Sequence, residues 1–153
     1  MGLIQVERLI AADPAKVFAL AKEAERFPDV VPDLTEVKAV EKDGARVVTT
    51  WRGTLSIAGM INRGIYWKEE DIWDDAARKC TFSLIEGDMK KYSGDWTFED
   101  APDGSGGTLV KLSVDFELGV PMIGPLVVRL VDKLVKENCE ALLAGLAKLA
   151  EGG

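Results

Sequence analysis

Leu109-Val110-Lys111-Leu112-Ser113-Val114-Asp115-Phe116-Glu117-Leu118 decides the fold, through its own pattern and through the change of pattern just after it. Val110, Leu112, Val114, Phe116 and Leu118 point one way, and Lys111, Ser113, Asp115 and Glu117 point the other. That period of two predicts a strand with one buried and one wet face. Beyond Gly119 and Pro121 the period changes. Ile123, Val127, Leu130, Val131, Leu134, Leu142, Gly145, Leu146 and Leu149 form one stripe, opposed by Arg129, Lys133, Lys136, Glu137, Glu140 and Lys148. This spacing predicts a long amphipathic helix, irregular at Gly124-Pro125 and ended by Gly152-Gly153. A one-faced strand and a one-faced helix each need a cover, and each can supply it to the other.

Upstream, strand signals dominate. Thr35–Glu41, Arg46–Leu55, Met60–Trp73, Lys79–Glu86 and Tyr92–Glu99 are strand candidates, and Asp43-Gly44 carries a hairpin signal between the first two. Ahead of them, Leu3–Ala11 reads as a first or edge strand. Asp13 is a good N-cap and Pro14 suits a first helical position, so a helix is expected over about residues 14–22. A second helical turn over Glu23–Phe27 should stop at Pro28, and Asp29–Pro32 reads as a loop packed on the core. Short connections make the sheet antiparallel. The expectation is one α+β domain over residues 1–153. In it a curved antiparallel sheet of about seven strands wraps around a long C-terminal helix, with two short helices after strand 1.

Composition narrows the chemistry. There is no His among the 153 residues, which removes Ser-His-Asp and Cys-His catalysis, His general bases and His-bearing metal sites. A formal charge of −7 argues against nucleic acid and anionic membrane surfaces as partners. Cys80 and Cys139 are far apart and lack a disulfide framework, and the N-terminus has no secretory pattern, so a cytoplasmic chain is expected. Leu118–Val128 is the longest uncharged apolar stretch and is shorter than the roughly 20 residues that span a bilayer. No transmembrane segment, metal or cofactor is expected.

Trp67, Glu69, Asp71 and Trp73 share parity on one strand. If that face is the inner one, two carboxyls sit among aromatics, where burial would raise their pKa values and make either a candidate general acid or base. If Lys68, Glu70 and Ile72 face inward instead, Glu69 and Asp71 are solvent groups, and a one-residue bulge would exchange the faces. Trp96 belongs to an apolar set with Tyr92, Gly94 and Phe98, as core or as cavity wall; Phe82, Leu84, Val114 and Phe116 would complete that wall. Asn138 interrupts the helix stripe between Leu134 and Leu142. It must be hydrogen-bonded, to a neighbouring strand (the commoner fate), to water or to a ligand. Arg52 and Arg63 are further polar candidates. The cysteines, without a His or a second thiol nearby, read as packing residues.

Several stretches together resemble one family. Ile10-Ala11-Ala12-Asp13-Pro14-Ala15-Lys16-Val17-Phe18 resembles its strand-to-helix opening, and Glu25-Arg26-Phe27-Pro28-Asp29-Val30-Val31-Pro32 its aromatic-Pro loop. Gly87–Phe98 resembles its Gly-x-aromatic strand ending in Gly-x-Trp, and Asp115–Gly119 with Pro121 the approach to its last helix. With the element order, this is similar to the helix-grip fold of the START-like superfamily, which includes polyketide cyclase/dehydrases and coenzyme Q-binding START proteins. The resemblance implies an apolar cavity between sheet and last helix, gated by that helix and the Phe27–Pro32 loop, with a Trp at position 96 in its wall. The cyclases touch their polyketide with a polar residue at the position of Asn138 and polarise a carbonyl with a pocket Arg; here Glu69 or Asp71 stands about where that Arg would be.

The leading expectation is a binding module for a lipid, isoprenoid quinone or polyketide-like molecule, with Trp51, Trp67, Phe82, Trp96, Phe116, Leu134 and Asn138 as ligand contacts. The alternatives are a cyclase or dehydratase using Glu69 or Asp71, and a protein-interaction module like the ribosome-associated toxins of the same superfamily. A transient membrane or protein partner is compatible with each.

Overall fold

The computed structural model describes residues 2–57, 61–118 and 125–152. Strand β1 (Gly2–Ile10) leads into α1 (Pro14–Ala21) and a 3-10 helix over Ala24–Asp29. Six strands come next: β2 (Leu34–Asp43), β3 (Arg46–Ile57), β4 (Ile61–Asp74), β5 (Lys79–Gly87), β6 (Met89–Asp100) and β7 (Thr108–Leu118). The chain then forms α2 (Pro125–Glu151). All seven strands make one antiparallel sheet in the order β1-β7-β6-β5-β4-β3-β2. The helix-grip architecture expected from the sequence is the one observed. No helix among the described residues is long and apolar enough to cross a membrane.

Local chemistry sets the boundaries. The Asp13 carboxylate accepts from the backbone N–H of Ala15 and Lys16, capping α1, and Pro14 occupies the first turn. Val17, Phe18, Leu20 and Ala21 turn inward. In the next segment Pro28 lies inside the 3-10 helix rather than ending it. Its missing N–H does no harm so near a helix end, and the Phe27 carbonyl accepts from both Val30 and Val31.

Two readings shift. Strand β6 starts at Met89, three residues before the expected Tyr92, with a register irregularity between Met89 and Lys91. In α2 the buried line runs through Val131, Cys139, Leu143, Leu146 and Ala150, about one residue round from the predicted stripe. Leu134 is therefore only half-buried, and Leu143 is fully buried. The small residues Cys139, Gly145, Ala147 and Ala150 let the helix sit close to the sheet, which a stripe drawn through the large residues misses. The predicted wet side of α2 is exposed throughout. Ile123 and Gly124, and the side chain of Val127, lie outside the described residues.

The core lies between the concave sheet face and the two helices. Val110, Leu112, Val114 and Phe116 of β7 are each essentially fully buried, the alternation their sequence announces. At one end Phe18 packs edge-on against Trp73 and Phe98, with ring centres 5.5 and 5.2 Å away. In the middle Phe27 stacks on Trp96 at 6.4 Å and 9° and leans on Trp51 at 6.1 Å. Beyond Phe27 the filling stops, and a cavity begins.

Candidate functional site

The cavity lies between α2 and the sheet, next to the loop that joins the 3-10 helix to β2. Its atom-free space, mouth included, is about 730 Å³. Val135, Asn138, Cys139 and Leu142 of α2 form one wall, and Trp51, Gly53, Leu55, Ile65 and Trp67 of the β3–β4 ribbon form the opposite one. Tyr92 of β6 and Phe116 of β7 line it as well, as do Val31, Asp33 and Leu34 of the loop.

Two glycines allow the loop this close. A Cβ on Gly53 would come within 2.5 Å of the Asp33 carbonyl oxygen, which accepts from the N–H of Thr54 beside it. A Cβ on Gly145 would come within 2.7 Å of the Val31 methyl. Loop, β3 and α2 therefore meet backbone to side chain around the cavity.

Trp51 and Trp67 are direct cross-strand partners. Their rings lie 5.5 Å apart and within 6° of parallel, so they stack on one another beside the cavity. Tyr92 stands 5.4 Å from Trp67, tilted by 53°. The β4 parity places Trp67, Glu69, Asp71 and Trp73 on the inner face. The bulge beside Glu69 sits on the β5 side, where Lys68 pairs with Glu86 and Glu69 with Leu84, so β4 keeps its alternation. Glu69 and Asp71 are 5% and 6% exposed.

These carboxyls are bonded into a network. The Trp67 indole N–H donates to Glu69 Oε1 at 2.8 Å. The Trp51 indole N–H donates to Thr49 Oγ1 at 2.8 Å, and the Thr49 hydroxyl donates to Asp71 Oδ2 at 2.7 Å. Burial, then the neighbouring Asp71 charge, holds Glu69 well above the usual carboxylate range. Asp71 is also raised by burial, while its bonds from Glu69 and Thr49 pull the other way. Of the two, Glu69 is the member that holds a proton more readily, with Asp71 placed to accept from it. The pair does not line the cavity; the two indoles stand in front of it.

Of the residues singled out from sequence, Trp51, Trp67, Phe116 and Asn138 line the cavity. Phe82, Trp96 and Leu134 do not. Phe27 covers Trp96, Tyr92 packs against Phe82 with ring centres 5.2 Å apart, and Leu134 lies off the inner line of α2. Among the described residues, no hydrogen bond ties the Asn138 side chain to a strand, so its amide is available to the cavity. Arg52 lies on the outer face over the Tyr66 ring, 4.5 Å from its centre, and Arg63 is exposed. Tyr92 and Cys139 were each visible in the sequence, as a parity partner of Trp96 and as a helix packing residue, without being read as lining. Val31, Asp33 and Leu34 had no period to betray them.

Both cysteines are buried and free. Burial pushes the Cys80 thiol far up and the Cys139 thiol to about 12. Neither is a nucleophile at neutral pH. We expect neither to react with a thiol-specific disulfide reagent in the folded protein at pH 8, and both to react in denaturant; prompt labelling of Cys139 would mean that the cavity opens widely to solvent. Among the described residues, no cluster of acidic or thiol groups could hold a metal ion.

The comparisons agree with this architecture. Residues 1–151 match the family described as polyketide cyclase / dehydrase and lipid transport. No curated protein sequence matches this chain. TTHA0849 from Thermus thermophilus is 34% identical over 99% of this chain and 98% of its own, with a TM-score of 0.87. Zhui aromatase/cyclase from Streptomyces sp. R1128 is 19% identical, covering 98% of this chain and 93% of its own, at 0.82. A START superfamily protein from Mycobacterium smegmatis, 19% identical over 98% and 97%, scores 0.74. The last two show the fold alone. On the match along almost its whole length, the chain belongs to the polyketide cyclase / dehydrase and lipid transport family.

Proposed function

We propose that this protein binds a hydrophobic or amphipathic small molecule between the Trp51–Trp67 surface and α2. The observation that carries the reading is the cavity itself, enclosed largely by apolar side chains and unfilled by the protein's own. Apolar burial supplies about 25 cal/mol per Å² of ligand surface. Asn138 and Tyr92 are polar groups placed to orient what enters, with Asp33 on the adjoining loop. Lipids, isoprenoid quinones and polyketide-like compounds all have the apolar bodies such a site takes. Two free buried thiols suit a reducing compartment, the cytoplasm.

Titration with the neutral dye N-phenyl-1-naphthylamine tests this directly. Saturable enhancement of its emission is expected. Val135→Phe, which fills the cavity from the α2 side, should weaken binding by at least about tenfold, or about 1.4 kcal/mol, while the fold persists. Unsaturable or unchanged binding in Val135→Phe would place the dye elsewhere. Native mass spectrometry of the protein as purified should show a stoichiometric apolar passenger if the natural ligand is retained.

One observation favours a second reading, a cyclase or dehydratase like the Streptomyces aromatase/cyclase: a proton-holding carboxyl pair faces inward. Three features weigh against it. The indoles separate the pair from the cavity, its proton is already shared between Glu69 and Asp71, and no Arg is among the described lining residues.

A further inference from the structure

Three aromatic side chains packed on one another line the cavity: Trp51, Trp67 and Tyr92. Behind the two indoles lies a carboxyl pair that keeps one negative charge, and among the described residues no Lys or Arg pairs with either member. Where described basic residues form ion pairs, the partners are other acids, as Arg46 with Glu70 and Lys91 with Asp115. No Lys or Arg is among the described lining residues, and the acidic Asp33 is. A buried charge without a counter-ion is costly, and hydrogen bonds offset only part of that cost. Its field, weakly screened in a low-dielectric interior, reaches the cavity one indole away. The same bonds act on the rings. An indole whose N–H donates toward a carboxyl, as Trp67 does to Glu69 and Trp51 does through Thr49, carries more negative charge on its π face. Aromatic faces of this kind attract quaternary and protonated amines.

We infer that the cavity selects apolar ligands carrying a positive charge, with an ammonium group seated against Trp51, Trp67 and Tyr92, over neutral and anionic ligands of the same shape. This rests on the ligand-binding reading above and names its ligand class. The net charge of −7 acts in the same direction by drawing cations toward the molecule.

Three compounds that share the 1-naphthylmethyl body test it by calorimetry in about 150 mM salt, where surface attraction is largely screened: 1-naphthylmethanol, (1-naphthylmethyl)trimethylammonium and 1-naphthylacetate. The ammonium compound should bind at least about tenfold more tightly than the alcohol, a step of one decade in Kd, and the carboxylate more weakly than the alcohol. Val135→Phe should abolish binding of all three, which separates the cavity from the acidic surface. Asp71→Asn, which removes the buried charge while Glu69 keeps its proton, should bring the ammonium-to-alcohol ratio close to one; a ratio is insensitive to a general loss of affinity. If the wild type binds the alcohol and the ammonium compound equally, the charge selection is overturned and the binding reading stands. If none of the three binds, the binding reading falls and the selection with it.

Discussion

Replacing Phe27 with Ala is expected to cost about 3–5 kcal/mol of stability and to extend the cavity across the middle of the sheet. Phe27 is 2% exposed and is the side chain through which the 3-10 helix reaches the concave face. It lies against Trp96 on one side and Trp51 on the other, so its removal takes packing from both. The void it leaves adjoins the existing cavity, since Trp51 is common to both. Nothing nearby can collapse into it, because the carbonyl of Phe27 itself fixes the loop through Val30 and Val31. Denaturant unfolding followed by tryptophan emission measures the loss, and the melting temperature should fall by roughly 10–15 °C. Phe27→Leu keeps much of the volume and should cost about 1–1.5 kcal/mol. A loss below about 1 kcal/mol in Phe27→Ala would mean that the 3-10 helix is held by its backbone bonds, and that Phe27 is not what divides filled core from open cavity.

Phe27 also marks where sequence reasoning stops. The alternation in β7 and the parity of Trp67, Glu69, Asp71 and Trp73 are local properties, fixed by the two-residue repeat of a strand. They are legible in the chain alone, and they put two carboxyls on one face. Which face is inner depends on the partner strands and on what packs against the sheet, neither of which a single strand encodes. Trp96 shows the other limit. Its inward direction follows from parity with Tyr92 and Phe98, but whether it meets a ligand depends on Phe27, almost 70 residues away in the chain. Leu134 and Cys139 show a third. A helix face is a continuous angle, and choosing large residues to define it rotates the line away from small ones that pack closest. The loop residues Val31, Asp33 and Leu34 have no periodicity, and only their seating against Gly53 and Gly145 brings them to the cavity.

Glu69→Gln is expected to raise stability at neutral pH and to reduce the decline that the wild type shows as pH rises. In the folded protein the pair retains one proton, because burial and Asp71 hold Glu69 well above its ordinary range. In the unfolded chain the same carboxyl ionises near pH 4.3. Between that pH and the raised folded value, the folded state binds one proton more than the unfolded state. Stability then falls as pH rises, by up to about 1.4 kcal/mol per pH unit, and levels off once the folded pair also loses the proton. Gln at this position keeps the bonds: its carbonyl oxygen can accept from the Trp67 indole and its amide can donate to Asp71, with no proton to lose. Urea unfolding at pH 5, 6, 7 and 8 should therefore give profiles that diverge, the variant gaining most at the highest pH. Parallel profiles would mean that Glu69 is ionised in the folded state and that the pair carries two charges behind the indoles. The proton thus fixes the charge the cavity feels: with it, a single anion that hydrogen bonds and aromatic rings can hold in place; without it, two adjoining carboxylates with no cation beside them, an arrangement the interior would not sustain.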